Sequence, residues 1–150
     1  MSGTAPHPRQ GVVAAWLSQM VGTVVLAAVV LAFVKAAGAP FAASGRGLHA
    51  YAFTAILAAT VPALAYLRSF RTHLVADEAA TRTRGGAPDP AARKALLRAL
   101  AIGGALCELP MAVGALDLLC GGESRLFVGA TILTLAMRLS HRPFLPRAAA

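Results

Sequence analysis

Charged residues are scarce in this chain, and acids are scarcer than bases. Only 13% of its 150 residues are charged, with 14 Lys and Arg against six Asp and Glu. Soluble domains carry about 25% charged residues. Since 57% of the residues are hydrophobic, the chain has too little charge for the surface of a soluble domain. This composition indicates an integral membrane protein.

Short motifs of the common catalytic and metal-binding frameworks are also missing. The sequence has no CxxC, no HExxH and no His/Cys pair at ligand spacing, so we expect no metal site. A Walker A loop, a GxGxxG fingerprint and a GxSxG nucleophile motif are absent as well. We therefore expect no cofactor and no enzymatic activity.

Cysteine is rare, and the two that occur cannot pair with each other. Cys107 and Cys120 lie on one predicted helix, separated along its axis by about 19 Å. A disulfide requires Cα atoms closer than about 7 Å. The sequence therefore excludes an intramolecular disulfide.

Long apolar segments are what the chain has in abundance. About 20 apolar residues suffice for a helix to cross a bilayer. The pattern predicts an all-α, polytopic membrane protein, with four transmembrane helices arranged as two hairpins in a single domain, residues 1–150. A secretory signal is the alternative for the first segment, but its 24 uncharged residues exceed the roughly 7–15 of a signal h-region. The predicted helices cover residues 11–36, 48–67 (with an extension to 84 left open), 90–120 and 125–142.

Helix ends and bends follow from proline, glycine and capping residues. Asp89 before Pro90 predicts an N-cap with proline at the first helical position. Pro62 and Pro110 are each expected to bend a helix, because proline removes a backbone hydrogen bond. Gly121-Gly122 should end the third helix, and Ser124 should cap the fourth.

Cations are unevenly divided between the two sides of the predicted helices. The positive-inside rule predicts that both termini and the basic loop 68–98 are cytoplasmic, in a bacterial inner membrane. The loop is then expected to contact anionic lipid headgroups, and no nucleic acid partner is expected. Eleven cations lie on that side and three on the other: Arg9, Arg68, Arg71, Arg82, Arg84, Arg93, Lys94, Arg98, Arg138, Arg142 and Arg147 against Lys35, Arg46 and Arg125.

Glu108 stands almost at the midpoint of the third apolar segment, Ala99–Leu119. A carboxylate there costs at least roughly 2.5–3.5 kcal/mol on insertion, which makes it a candidate functional residue. Its helix setting consists of Pro110, Gly104 and Gly114. Glu108 also stands on a stripe of small residues that predicts close helix packing: Ala101, Gly104, Ala105, Ala112 and Ala115. Two interpretations remain open: a buried acid that fixes helix packing, or a proton- or ion-binding carboxylate.

Few other polar side chains are predicted to approach Glu108. Gln19, Thr54 and Thr60 are the candidates within the first two helices. Asp117 is expected to be a solvated acid at a helix end. The remaining polar residues are expected in the interfacial region: His49 as a hydrated histidine, and Arg138, His141 and Arg142 as snorkelling side chains.

Residues 107–114, CELPMAVG, resemble the carboxylate helix of the rotary-ATPase proteolipids, the c subunits. That resemblance implies proton or ion binding at Glu108. A second resemblance covers Leu97-Arg98, Glu108, Gly114, Gly121-Gly122 and a fourth helix that closes on Arg142-Pro143. This pattern is similar to a class of small four-helix bacterial membrane proteins of unknown function, and implies fold and location without an activity.

The sequence thus favours a non-enzymatic membrane protein with a structural or accessory role. The alternative is a proteolipid-like protein that handles protons or ions through Glu108. The expected partners are the lipid bilayer and either further copies of the chain or another membrane protein.

Overall fold

The computed structural model describes residues 10–42, 47 and 49–144, and these residues form helices without any strand. The all-α prediction is confirmed. The helices, in chain order, are α1 (Gln10–Ala37), α2 (His49–Ala58), α3 (Val61–Thr83), α4 (Pro90–Cys107), α5 (Leu109–Leu119) and α6 (Ser124–Ser140).

Two proline-associated breaks divide four helices into these six segments. Residues His49–Thr83 and Pro90–Leu119 are each one helix with a short interruption. Pro62 and Pro110 stand in the first turn after each interruption, where neither can donate to the carbonyl four residues earlier. At the second break, Glu108 N–H instead donates to Ala105 O at 3.2 Å, a tighter turn. Each proline that was predicted to bend a helix therefore stands at an interruption of that helix.

A short connection joins α3 to α4. Asp89 caps α4, since its side chain accepts a hydrogen bond from Ala92 N–H at 3.2 Å, and Pro90 begins the helix. The predicted cap is confirmed. Gly85 and Gly86 form the turn with φ of 63° and 96°, conformations that glycine adopts without strain. The basic segment 68–98 is consequently helical except for residues 84–89.

The turn between α5 and α6 is short and consists of residues 120–123. Gly121 has φ of 90°, and Gly122 N–H donates to Asp117 O at 2.9 Å. Ser124 is already the first helical residue, so its predicted role as a cap is wrong; Glu123 occupies the cap position without a side-chain bond. Helix α6 ends at Ser140, two residues before the predicted end.

Packing is concentrated where α3 meets α4 and where α5 meets α6. Helix α1 lies along α4, α5 and α6, and buries only Val12, Thr23 and Ala27. Much of its surface is therefore exposed and apolar. The large apolar side chains that it exposes are Leu17, Val21, Val24, Val25, Leu26, Val29 and Phe33.

The face of α4 and α5 that packs inward differs from the predicted stripe of small residues. Ala101, Ala105 and Ala112 are exposed, although the stripe prediction placed them against another helix. When both faces of a helix are apolar, helical periodicity does not reveal which face packs. The buried residues of the two helices are Leu96, Ala99, Leu100, Gly103, Gly104, Cys107, Pro110, Met111, Gly114, Asp117 and Leu118.

Three of the four helices are long and apolar enough to cross a membrane: Gln10–Ala37, His49–Thr83 and Pro90–Leu119. The fourth, α6, has 17 residues and carries Arg138 in its last turn. The four predicted helices are thus present, and three of them have the length and composition of a membrane span.

Candidate functional site

Glu108 lies at the junction of α4 and α5, where the Pro110 break turns the backbone. It is ten residues from Arg98 and eleven from Leu119, or about 15 and 16 Å along the helix axis. The acid is therefore nearly equidistant from the charged end of α4 and the end of α5. Its side chain is 28% exposed.

The partner of Glu108 is Arg138 of α6. The Arg138 Nη2 atom forms an ion pair and hydrogen bond with Glu108 Oε1, and only 5% of Arg138 is exposed. The prediction that Arg138 snorkels to an interface is wrong. Its charge is instead neutralised inside the bundle, where an unpaired guanidinium would lose most of its hydration.

Helix α1 completes this polar cluster with Gln19 and Thr23. Thr23 Oγ1 donates to Glu108 Oε1 at 2.6 Å, and Arg138 Nη1 donates to Gln19 Oε1 at 2.8 Å. Thr23 is 1% exposed. The four residues, Gln19, Thr23, Glu108 and Arg138, form what we term the central polar cluster, and it ties α1, the α4–α5 junction and α6 together.

Two contacts of α1 hold it close to the other members of the central polar cluster. At Gly104 a Cβ atom would lie 2.6 Å from Gln19 Oε1, so the absence of a side chain lets the amide approach α4. Trp16 Nε1 donates to the Arg138 carbonyl at 3.1 Å, which holds α1 beside the last turn of α6. Gly104 was predicted as part of the setting of Glu108, and it contacts the amide that binds Arg138.

Gly114 and Pro110, the other predicted members of this setting, are also buried. A Cβ atom at Gly114 would lie 2.9 Å from Ala130 Cβ, so α5 and α6 approach closely there. Gly114 therefore determines the spacing of the two helices and makes no contact with the acid.

Four polar atoms of Glu108 and of the α6 end of the bundle are buried and have no hydrogen-bond partner within the described residues. They are Glu108 Oε2, Arg138 Nε, Thr134 Oγ1 and His141 Nε2. The cluster therefore saturates only one oxygen of the carboxylate. The second oxygen retains capacity to accept a hydrogen bond or to bind a proton.

Cys107 and His141 meet close to the central polar cluster, although 34 residues separate them in sequence. The Sγ and Nδ1 atoms are 3.6 Å apart, and Nδ1 also lies 3.0 Å from Met137 O, to which it can donate. Both side chains are buried, so the predicted interfacial position of His141 is wrong. Gly103 allows this approach, since its Cβ would lie 3.0 Å from His141 Cδ2.

A second polar pair, of which only the acid is buried, occurs at the opposite end of the bundle. His49 Nδ1 contacts Asp117 Oδ1 at 2.7 Å, and Asp117 is only 5% exposed. Asp117 was predicted to be solvated, and this prediction is wrong. His49 begins α2 and keeps 38% of its side chain exposed, so its predicted position as a hydrated interfacial residue stays a prediction. The Gly121-Gly122 turn folds back over Asp117, since a Cβ atom at Gly122 would collide with its carboxylate.

The remaining polar candidates do not reach Glu108. Thr54 is exposed, and Thr60 Oγ1 donates to the Leu57 carbonyl at 2.7 Å. Arg138 and Thr23 were missed as partners of the acid. One feature of the sequence could have indicated that Arg138 is buried. The apolar stretch before it is shorter than a full membrane crossing, so Arg138 is not expected to reach the membrane surface.

Metal binding finds no support in residues 10–42, 47 and 49–144, where no three His, Cys, Asp or Glu side chains gather. Cys107 and Cys120 are both free and buried. What the central polar cluster can do chemically is hold two opposite charges in the bundle interior, with one carboxylate oxygen left unpaired.

Comparison of the chain with protein-family models, with curated proteins and with solved structures gives no match. Nothing in these comparisons bears on the resemblance to the c subunits or to the small four-helix membrane proteins.

Proposed function

We propose that this chain is an integral protein of a bacterial inner membrane with a structural or accessory role and no enzymatic activity. It crosses the bilayer four times. The predicted pairing of α1 with α2–α3 as one hairpin is not what the contacts favour, because α2–α3 packs along α4–α5 and α1 packs along α4, α5 and α6. Within the hydrocarbon core, the central polar cluster holds α1, the α4–α5 junction and α6 together.

The inverted distribution of polar and apolar side chains is the observation that carries this proposal. Large apolar residues cover the outside of α1 and α2, while Glu108 and Arg138 pair on the inside. In water such a surface would aggregate. In lipid the outward apolar side chains are solvated, and charged groups facing the interior need partners.

Cation asymmetry supports an orientation with both termini inside. Since Arg138 is paired within the bundle, it no longer counts toward the positive-inside balance. The eleven cations on the predicted cytoplasmic side become ten, against three on the other side. The α3–α4 hairpin then projects into the cytoplasm from about Arg68 and Arg98 onward.

Alkaline extraction of membranes from expressing cells tests the proposal directly. We expect the protein to stay in the membrane pellet at pH 11 and to be released by a non-ionic detergent. A peripheral protein of known behaviour, expressed in the same cells, provides the control. Recovery of the chain in the carbonate supernatant would contradict membrane integration.

Proton or ion handling by Glu108 is the second candidate function, and the buried, unpaired Oε2 atom favours it. An apolar carbodiimide distinguishes the two, because it modifies a protonated acid reached from the membrane. If the acid only pairs with Arg138, the wild type stays unmodified and Arg138→Gln becomes reactive through loss of the counter-charge. Modification of Glu108 in the wild type would favour the second candidate.

A further inference from the structure

An open groove runs between α3 and α4 on the predicted cytoplasmic side of the bundle. Its volume is about 560 Å³. Helix α4 contributes a row of residues spaced one helical turn apart, namely Lys94, Arg98 and Ile102. Helix α3 contributes Tyr66 and His73, two turns apart and so on one face. We call this the α3–α4 groove.

The cations of the α3–α4 groove have no acid to neutralise them. Asp77 forms an ion pair with Arg93. Glu78 pairs with Arg82, and Asp89 pairs with Arg84. Across the described residues, no carboxylate lies within ion-pair distance of Lys94 or Arg98. Every acid of the α3–α4 hairpin is therefore engaged elsewhere, and the groove keeps two uncompensated positive charges.

The charged residues and the apolar residues of the groove lie at different ends of it. Lys94 and Arg98 lie on the side of the hairpin tip, while Ala99 and Ile102 continue toward Glu108. Tyr66 borders the apolar end, since a Cβ atom at Gly103 would lie 3.6 Å from its ring. Trp16 and Tyr66 pack against the same apolar cluster, so two amphipathic rings of the kind found at membrane surfaces share this level.

We propose that the α3–α4 groove binds one anionic phospholipid of the cytoplasmic leaflet. Its phosphate lies between Lys94 and Arg98, with His73 as a further hydrogen-bond donor, and an acyl chain follows Ala99 and Ile102. Charge complementarity selects an anionic headgroup, and the apolar continuation of the groove selects a lipid over a soluble phosphate ester. This inference rests on the proposed membrane location.

The outer flank of α3 provides a matched comparison. Arg68 and Arg71 also have no acid partner in the part of the chain that the structure describes, and they line a shallow depression of about 550 Å³. Residues of α3 alone form that depression, whereas two helices enclose the α3–α4 groove. A lipid in the groove therefore contacts two walls, and a lipid on the flank contacts one.

Native mass spectrometry of the purified protein in detergent tests the site, with phosphatidylglycerol and phosphatidylcholine added at equal concentration. We expect phosphatidylglycerol to bind the wild type about tenfold more tightly than phosphatidylcholine. Lys94→Gln/Arg98→Gln should reduce that preference about tenfold, as expected for two cations near one phosphate. Arg68→Gln/Arg71→Gln removes the same amount of charge, and this variant should retain most of the preference for phosphatidylglycerol.

Several outcomes would overturn the lipid site. If both double variants lost the preference for phosphatidylglycerol equally, the lipid would be attracted by the general positive charge of the hairpin and not by a site in the groove. Equal binding of the two lipids to the wild type would show that there is no headgroup preference. Displacement of phosphatidylglycerol by glycerol phosphate at a similar concentration would mean a soluble ligand. Far-ultraviolet circular dichroism of each variant confirms that it is folded. Each of these results leaves membrane integration untouched, because alkaline extraction measures that separately.

Discussion

Glu108 and Arg138 stabilise the bundle only as a pair. Arg138 in particular would be a buried charge without a partner, since it is 5% exposed, and the cost of removing one partner of a buried ion pair is about 3–5 kcal/mol. Replacing both partners by apolar groups is much milder, since no charge is then left behind. The two residues should therefore be strongly coupled in a double-mutant cycle.

We predict that Glu108→Gln and Arg138→Met each lower the free energy of unfolding by about 3–5 kcal/mol. The charge-free double variant Glu108→Gln/Arg138→Met should lose less than either single variant. Unfolding by sodium dodecyl sulfate in mixed micelles, followed by circular dichroism, measures these differences. Additive losses in the double variant would mean that the two side chains stabilise the protein independently.

At the scale of the helices, the close approach of α5 and α6 depends on Gly114. A methyl group there would lie 2.9 Å from Ala130 Cβ and 3.4 Å from Phe127 Cα. Both atoms belong to or adjoin the backbone of α6, so a rotamer change cannot relieve the contact. The helices would have to move apart, and with them the turn at Gly121-Gly122.

Gly129 of α6 offers a matched control, because a Cβ atom there meets nothing within 4 Å. We predict that Gly129→Ala stabilises the protein by up to about 1 kcal/mol through helix propensity. Gly114→Ala gains the same propensity but overpacks the helix contact, so it should be less stable than Gly129→Ala by about 1–3 kcal/mol. Unfolding curves in the same micelles provide the measurement, and equal stabilities would show that the α5–α6 contact yields easily.

For the whole molecule, orientation in the membrane is the property to test. Thr83 and Ser124 are exposed at opposite ends of the bundle. We predict that Thr83→Cys reacts with a membrane-impermeant maleimide only after the cells are broken, whereas Ser124→Cys reacts in intact spheroplasts. The unsubstituted protein gives the background, because Cys107 and Cys120 are buried. The reverse pattern of labelling would mean that the ten-to-three cation asymmetry does not set the orientation.

Ser44, on the predicted outer loop, lies outside the described residues, so Ser124 is the better outer position. It begins α6 just after the Gly121-Gly122 turn, on the same end of the bundle as the His49–Asp117 pair. Labelling at both positions in intact spheroplasts would contradict a membrane-embedded bundle altogether.

Local chemistry determined the helices of this protein. Proline at 62 and 110 removes one backbone donor each, and Asp89 caps a helix from three residues away, so both effects are readable from neighbouring residues. Helix number, the two breaks and the start of α4 were therefore predictable. The absence of an intramolecular disulfide followed from helix geometry in the same way.

Tertiary structure alone decided which residues meet. Glu108 and Arg138 are 30 residues apart, and His49 and Asp117 are 68 apart, so no local pattern connects them. In a helix that is apolar on every side, such as α1, periodicity does not distinguish a face that packs from one that stays exposed. The pairing of buried charges was therefore decided by how α1, the α4–α5 junction and α6 pack, because only that packing brings the guanidinium within reach of the carboxylate.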